Sequence, residues 1–144
     1  MRIGARLILA ASLLVLSQAS LARETLHDLT VDAAMQSAGN ENVGKDIAFY
    51  MAGQNHPAVE QTLGQFTSKR ASNGFGKSDE DACARAFLSA IIAFQDRARQ
   101  LGGNAVVDIK SITNGGLTSA TSYRCVSGST HSNVGLSGSV VKLK

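Results

Sequence analysis

Three sets of residues in this chain are of types that carry chemistry. They are the run Ala71-Ser72-Asn73-Gly74-Phe75-Gly76-Lys77-Ser78, the histidines His27, His56 and His131, and the cysteines Cys83 and Cys125. The run at 71–78 fits a relaxed phosphate-loop pattern: a small residue, four others, then Gly-Lys-Ser. Such a loop works when a buried strand delivers the chain into glycine-rich backbone whose N–H groups wrap a phosphate. Here the preceding residues, Gly64 to Arg70, are polar and charged, unlike the apolar parallel strand those folds use. Asp79, Glu80 and Asp81 follow directly and would repel a phosphate at the helix start. Ala105-Val106-Val107-Asp108 imitates a magnesium-holding strand, but that pattern is common. The run therefore reads as a turn through Gly74 and Gly76 and a helix capped by Ser78. Nucleotide binding at 71–78 through Lys77 stands as the least favoured reading.

The histidines are not spaced like a metal-ligand set. His56 falls in a turn before Pro57, and His131 in a polar loop. Both read as surface residues, and both are the candidates for a metal site if folding gathers them with Asp28, Asp46 or the cysteines. Serine is plentiful, yet no Gly-x-Ser-x-Gly elbow occurs, and the nearness of Ser127 to His131 in sequence is not a catalytic geometry. Cys83 as a nucleophile would need exposure and a lowered pKa, and its place on an apolar helix face opposes exposure. The expectation is a chain with no catalytic residue and no cofactor, hence not an enzyme.

One element dominates those that position these residues. Cys83, Phe87, Ala90, Ile91, Phe94, Ala98 and Leu101 recur at steps of three and four, which predicts an amphipathic helix over about 78–101. Ser78 with Asp81 resembles a capping box, the acids at 79–81 suit the positive helix start, and Gly102 supplies a left-handed stop. Arg85, Ser89, Asp96, Arg97 and Gln100 fall mostly on the opposite side. Strands are expected at 46–53 and 62–72, the latter at a sheet edge with Phe66, Ser68 and Arg70 on one face. Further strands are expected at 104–112, 117–127 and 134–144, forming an antiparallel meander. In the first of these, Ala105, Val107 and Ile109 should share a face; in the second, Tyr123 and Cys125 should. Residues 23–45 are poor in large apolar groups and offer only a weak strand or short helix around 25–35. The fold class is α+β: one main helix packed on an antiparallel sheet of about five strands, in a single domain over 46–144.

The first 22 residues set the compartment. Arg2 and Arg6, an apolar run from Leu7 to Leu16, and Ser20-Leu21-Ala22 ahead of Arg23 follow the grammar of a secretory signal peptide. The apolar run is shorter than the ~20 residues of a membrane span, and no cysteine near the cut indicates a lipid anchor. The full chain carries a formal charge of +3; without 1–22 it holds twelve basic residues against eleven acidic, too even for a nucleic-acid footprint. A periplasmic or secreted location is expected. In such a compartment Cys83 and Cys125 are expected to form a disulfide tying helix to sheet, with a free buried thiol or half of a metal site as the alternatives.

The segment from Ser78 through Ser111, with Leu101-Gly102-Gly103-Asn104-Ala105-Val106-Val107 running from helix into strand, resembles the YbjQ-type domain described as heavy-metal-binding. It also resembles the folded domain of RcsF, an envelope-stress sensor lipoprotein. Over most of 46–144 the chain is similar to a group of small exported bacterial proteins of unknown function. His56-Pro57, Gly76 to Ala90, Gly103 to Val107 and Tyr123 to Cys125 carry that likeness. Members of the group often bear an excinuclease ATPase-subunit label. An excinuclease ATPase is a large cytosolic protein with paired ATPase domains and zinc-binding cysteines, so the label is misleading for a chain of this size. The RcsF likeness implies a disulfide between helix and sheet; the YbjQ likeness implies metal binding without naming ligands. The resulting expectation is a non-catalytic periplasmic domain that binds a protein or cell-envelope component, with no stable membrane span and no nucleic-acid partner. A metal-binding periplasmic protein is the alternative.

Overall fold

The apolar repeat beginning at Cys83 becomes the long helix α2 (Asp79–Leu101) of the computed structural model, which describes residues 23–144. The expected leader at 1–22 lies outside the described residues. Ser78 caps the helix by accepting a hydrogen bond from the Asp81 amide, and Gly102 ends it at φ 74°, a conformation glycine adopts without a Cβ penalty. Around α2 the chain forms β1 (Thr25–Thr30), a short helix α1 (Val31–Met35), β2 (Ala48–Met51) and β3 (Val59–Asn73) before it. After it come β4 (Ala105–Ser111), β5 (Ser122–Ser127) and β6 (His131–Leu143). Fold class is α+β, with α2 packed against a curled sheet of six strands.

The sheet runs β1-β5-β6-β4-β2, and β3 pairs with β6 from Val59↔Leu143 to Asn73↔His131. Because β3 takes one edge of β6 along its length, β5 and β4 share the other edge in succession: Val126↔Asn133 and Ser127↔Ser132, then Ser111↔Leu136 onward. The expected meander is therefore replaced by an arrangement in which β4 and β5 each pair with β6 rather than with one another. The sheet is also mixed, because β2 pairs in parallel with β4. The chain leaves β2, travels out through β3 and α2, and returns in the same direction, a crossover that strand periodicity does not encode. Residues 25–35 hold both a strand and a helix, and β1 pairs with β5 in full register from Thr25↔Ser127 to Thr30↔Ser122.

The main core lies between α2 and one face of the sheet. Phe87 stacks on Tyr123 with ring centroids 4.2 Å apart, among Ile91, Phe94, Val106, Val134, Leu136 and Val140. A smaller cluster of Ala105, Val107, Val141 and Leu143 with Tyr50 occupies the other face. Ile109 belongs to the first cluster and Val107 to the second, so the expected alternation of Ala105, Val107 and Ile109 on one face fails. The cause is a bulge between Val107 and Lys110, where Asp108 sits at φ 54° and shifts the following residues to the opposite face. Gly138 stands opposite this point, where a Cβ would lie 3.1 Å from both Ile109 Cγ1 and Val106 Cγ1, so a larger residue would need these side chains to give by a few tenths of an ångström. Leu101, expected on the buried helix face, is 38% exposed at the last turn.

Cys83 and Cys125 are joined by a disulfide between α2 and β5, with Cα atoms 5.9 Å apart and neither residue exposed. A 42-residue closure limits the unfolded chain enough to contribute ~4 kcal/mol in the chain-entropy account. Among the described residues no helix is long and apolar enough to cross a membrane.

Candidate functional site

The run 71–78 is the end of β3, a turn and a helix cap. Three of its amide groups are engaged within the fold: Gly74 N–H donates to Thr130 O at 2.8 Å, Phe75 N–H to Asn73 Oδ1 at 2.8 Å, and Lys77 N–H to Gly74 O at 3.1 Å. Lys77 Nζ reaches back to Asn73 O at 3.3 Å. The strand delivering the loop is antiparallel to its neighbour β6. Phe75, at the tip, is 81% exposed.

The other residues singled out by type lie apart. His56 packs against Tyr50 with the rings tilted by 51° and centroids 5.4 Å apart, and its Nδ1 lies 2.8 Å from Pro57 O. His131 begins β6 and has Nδ1 at 2.8 Å from Thr130 Oγ1. His27, on β1, meets Asp79 Oδ2 at 3.0 Å, while Arg23 donates to Asp79 Oδ1 at 3.0 Å. These two partners, His27 the larger influence, hold the Asp79 carboxyl below its usual range. No group of three or more His, Cys, Asp or Glu among the described residues is gathered to hold a metal ion. The disulfide is buried beside hydroxyls: Ser127 Oγ lies 3.2 Å from Cys83 Sγ and 2.9 Å from Ser132 Oγ.

A different arrangement appears where β3 passes the second half of α2. Cross-strand partners share a sheet face, and Phe66, Ser68 and Arg70 pair with Gly138, Leu136 and Val134, which face the helix. With Asp96, Arg97 and Gln100 of α2 they line an open cleft of about 330 Å³. The Arg97 guanidinium lies 4.5 Å from the centroid of the Phe66 ring, and its Nη1 donates to Gln100 Oε1 at 3.3 Å. Arg70 donates only to the backbone of Lys69, at 2.9 Å. Neither Arg70 nor Arg97 meets a carboxylate among the described residues, whereas Arg23, Arg99 and Arg124 each do. Ser68 is 5% exposed, and its Oγ is the one buried side-chain oxygen or nitrogen among the described residues without a hydrogen-bond partner.

The remaining face of this helix half is fully engaged. Gln95, wholly buried, accepts from Gly44 N–H at 2.9 Å and donates to Gly44 O at 2.8 Å and Ile47 O at 2.7 Å. Arg99 clamps Asp46 through two bonds of 2.8 Å, pulling that carboxyl down to about 2, and bonds Asp96 at 2.8 Å. Sequence reasoning placed Ser68 and Arg70 on one strand face and Arg97 on the helix's polar side. Nothing in the spacing announces that 66–70 and 96–100 face each other, and the buried role of Gln95 has no local signal. Compared with family models, with curated proteins and with solved structures, the chain gives no match.

Proposed function

We propose that this is a non-catalytic, exported binding domain that docks an extended segment of a periplasmic or cell-envelope protein along β3. The observation that carries the reading is the edge of β3: a fifteen-residue strand paired to β6 on one side, with no strand on the other among the described residues. A free edge offers a row of backbone donors and acceptors to an added strand. Its first part is broken by register shifts at Val59/Gln61 and Thr62/Gly64, a common guard against pairing, but from Gln65 to Asn73 the register is unbroken. Phe75 stands exposed just past the end of this stretch, an aromatic of the kind that anchors interfaces. The buried disulfide fits an oxidising compartment, in keeping with the leader expected at 1–22.

A photocrosslinking side chain at Gln65 or Thr67, compared with one at Ser89 on α2, tests the reading in intact cells. Adducts of a defined partner from the β3 positions alone, with slowed deuterium exchange of β3 amides in the purified complex, are expected. Equal adducts from Ser89, or none from β3, would overturn it.

A further inference from the structure

We infer that the cleft between β3 and the second half of α2 is a carboxylate-binding pocket that reads an acidic side chain on the strand docked along β3. The inference rests on the proposed docking edge and adds the chemistry of its partner. In a strand added to β3, every second side chain falls on the α2 face of the sheet. The groups waiting there are Arg70 and Arg97, two guanidiniums without a carboxylate partner among the described residues, and the Ser68 hydroxyl, buried without a partner. A buried hydroxyl left unpaired costs about 1–3 kcal/mol, and a carboxylate is an acceptor it and both guanidiniums can share. Asp96, the acid lining the cleft, shares Arg99 with Asp46, so those three groups leave one negative charge against the two positive charges of Arg70 and Arg97. At about 330 Å³ the cleft is at the small end of ligand sites, suited to one side chain rather than to a lipid or a large cofactor. Lys69 adds a third cation on the strand, and Lys69 with Arg70 opposes pairing with a second copy in registers that bring the two edges' cations together. The occupant is thus an extended acidic segment of another protein.

The test titrates the isotopically labelled, disulfide-intact protein with three probes. They are an end-capped nonapeptide alternating Thr and Glu, the same peptide with Gln for Glu, and free glutarate. The Glu peptide should shift Ser68 and Arg97 resonances, protect β3 amides, and bind about tenfold more tightly than the Gln peptide, the worth of one charge-assisted hydrogen bond. That preference should vanish in Arg97→Gln and shrink, without vanishing, in about 0.5 M salt, because a pair in direct contact is screened less than charges held apart. Ser68→Ala should weaken it without touching the exposed charges. Equal binding of the two peptides with β3 protected would overturn the carboxylate reading and leave the docking edge standing. Glutarate shifting Ser68 and Arg97 while no peptide protects β3 would overturn the docked strand instead. No shift with any probe would overturn both.

Discussion

The two halves of α2 face their surroundings in opposite ways. In the first half every polar group near the core has a partner: Cys83 is bonded to Cys125, Ser127 links Cys83 to Ser132, and Asp79 is held by Arg23 and His27. In the second half, Gln95 and Arg99 saturate the side toward residues 44–47, while the side toward β3 keeps Ser68 without a hydrogen-bond partner and two arginines without a carboxylate among the described residues. The closed end contributes stability, and the open side has kept polar groups that folding alone does not use. On the proposed reading, that asymmetry separates scaffold from site.

The largest effect should come from the closed end. Cys83→Ser removes the link between α2 and β5, and a loss of ~4 kcal/mol is expected in denaturant unfolding, with a matching drop in midpoint. A loss no larger than that of an exposed substitution would mean that the first half of α2 is not what holds the fold. Next comes the saturated face of the second half. Gln95→Leu keeps volume but strands the Gly44 amide and the Gly44 and Ile47 carbonyls, so about 2–3 kcal/mol should be lost. Exchange of the Gly44 amide should speed up more than that of β5 amides, which localises the damage.

The halves should differ in sign when a single hydroxyl is deleted. Ser127→Ala orphans Ser132 beside the disulfide and should destabilise by about 1 kcal/mol. Ser68→Ala removes a buried hydroxyl that has no partner and should stabilise by up to about 1 kcal/mol. Two destabilisations of equal size in thermal unfolding would abolish the distinction between a closed end and an open side. The Ser68 result carries the added expectation that stability rises as acidic-peptide binding falls, the exchange common at sites kept for function.

How much of this was legible depended on the range of the interaction. Helix α2 was readable because its signals are local: the three-and-four repeat from Cys83, the Ser78 cap, the Gly102 stop. The Cys83–Cys125 pairing was readable because two thiols leave one pairing. The parallel β2–β4 contact and the pairing of both β4 and β5 with β6 were not, since strand alternation carries neither direction nor order. Asp108 shows the finer failure: one residue at φ 54° changed the face of Ile109, and an Asp in an apolar strand gives no warning of a bulge. The cleft escaped for the same reason. Ser68, Arg70 and Arg97 look like ordinary solvated residues until the fold sets the β3 edge against α2.

The smallest effects concern charge. Asp46 is held down to about 2 first by its hydrogen bonds from Arg99, and Asp28 and Asp79 are lowered first by Arg124 and His27 respectively. A carboxyl depressed on folding stabilises fully above its unfolded value of about 3.9 and loses that stabilisation as pH falls through the folded value. The stability gap between the protein and Asp46→Asn should therefore be constant above about pH 5 and close as pH falls toward 2, measured as thermal midpoints across an acid series. Exposure of this pair to solvent keeps the gap small and makes it shrink with added salt. Arg97→Gln supplies the contrast, because no carboxylate among the described residues bonds to it. Its acid profile should run parallel to that of the unchanged protein. If instead the gap it opens closes toward pH 2, Arg97 already has an acidic partner within the fold, and the open side of α2 is closed after all.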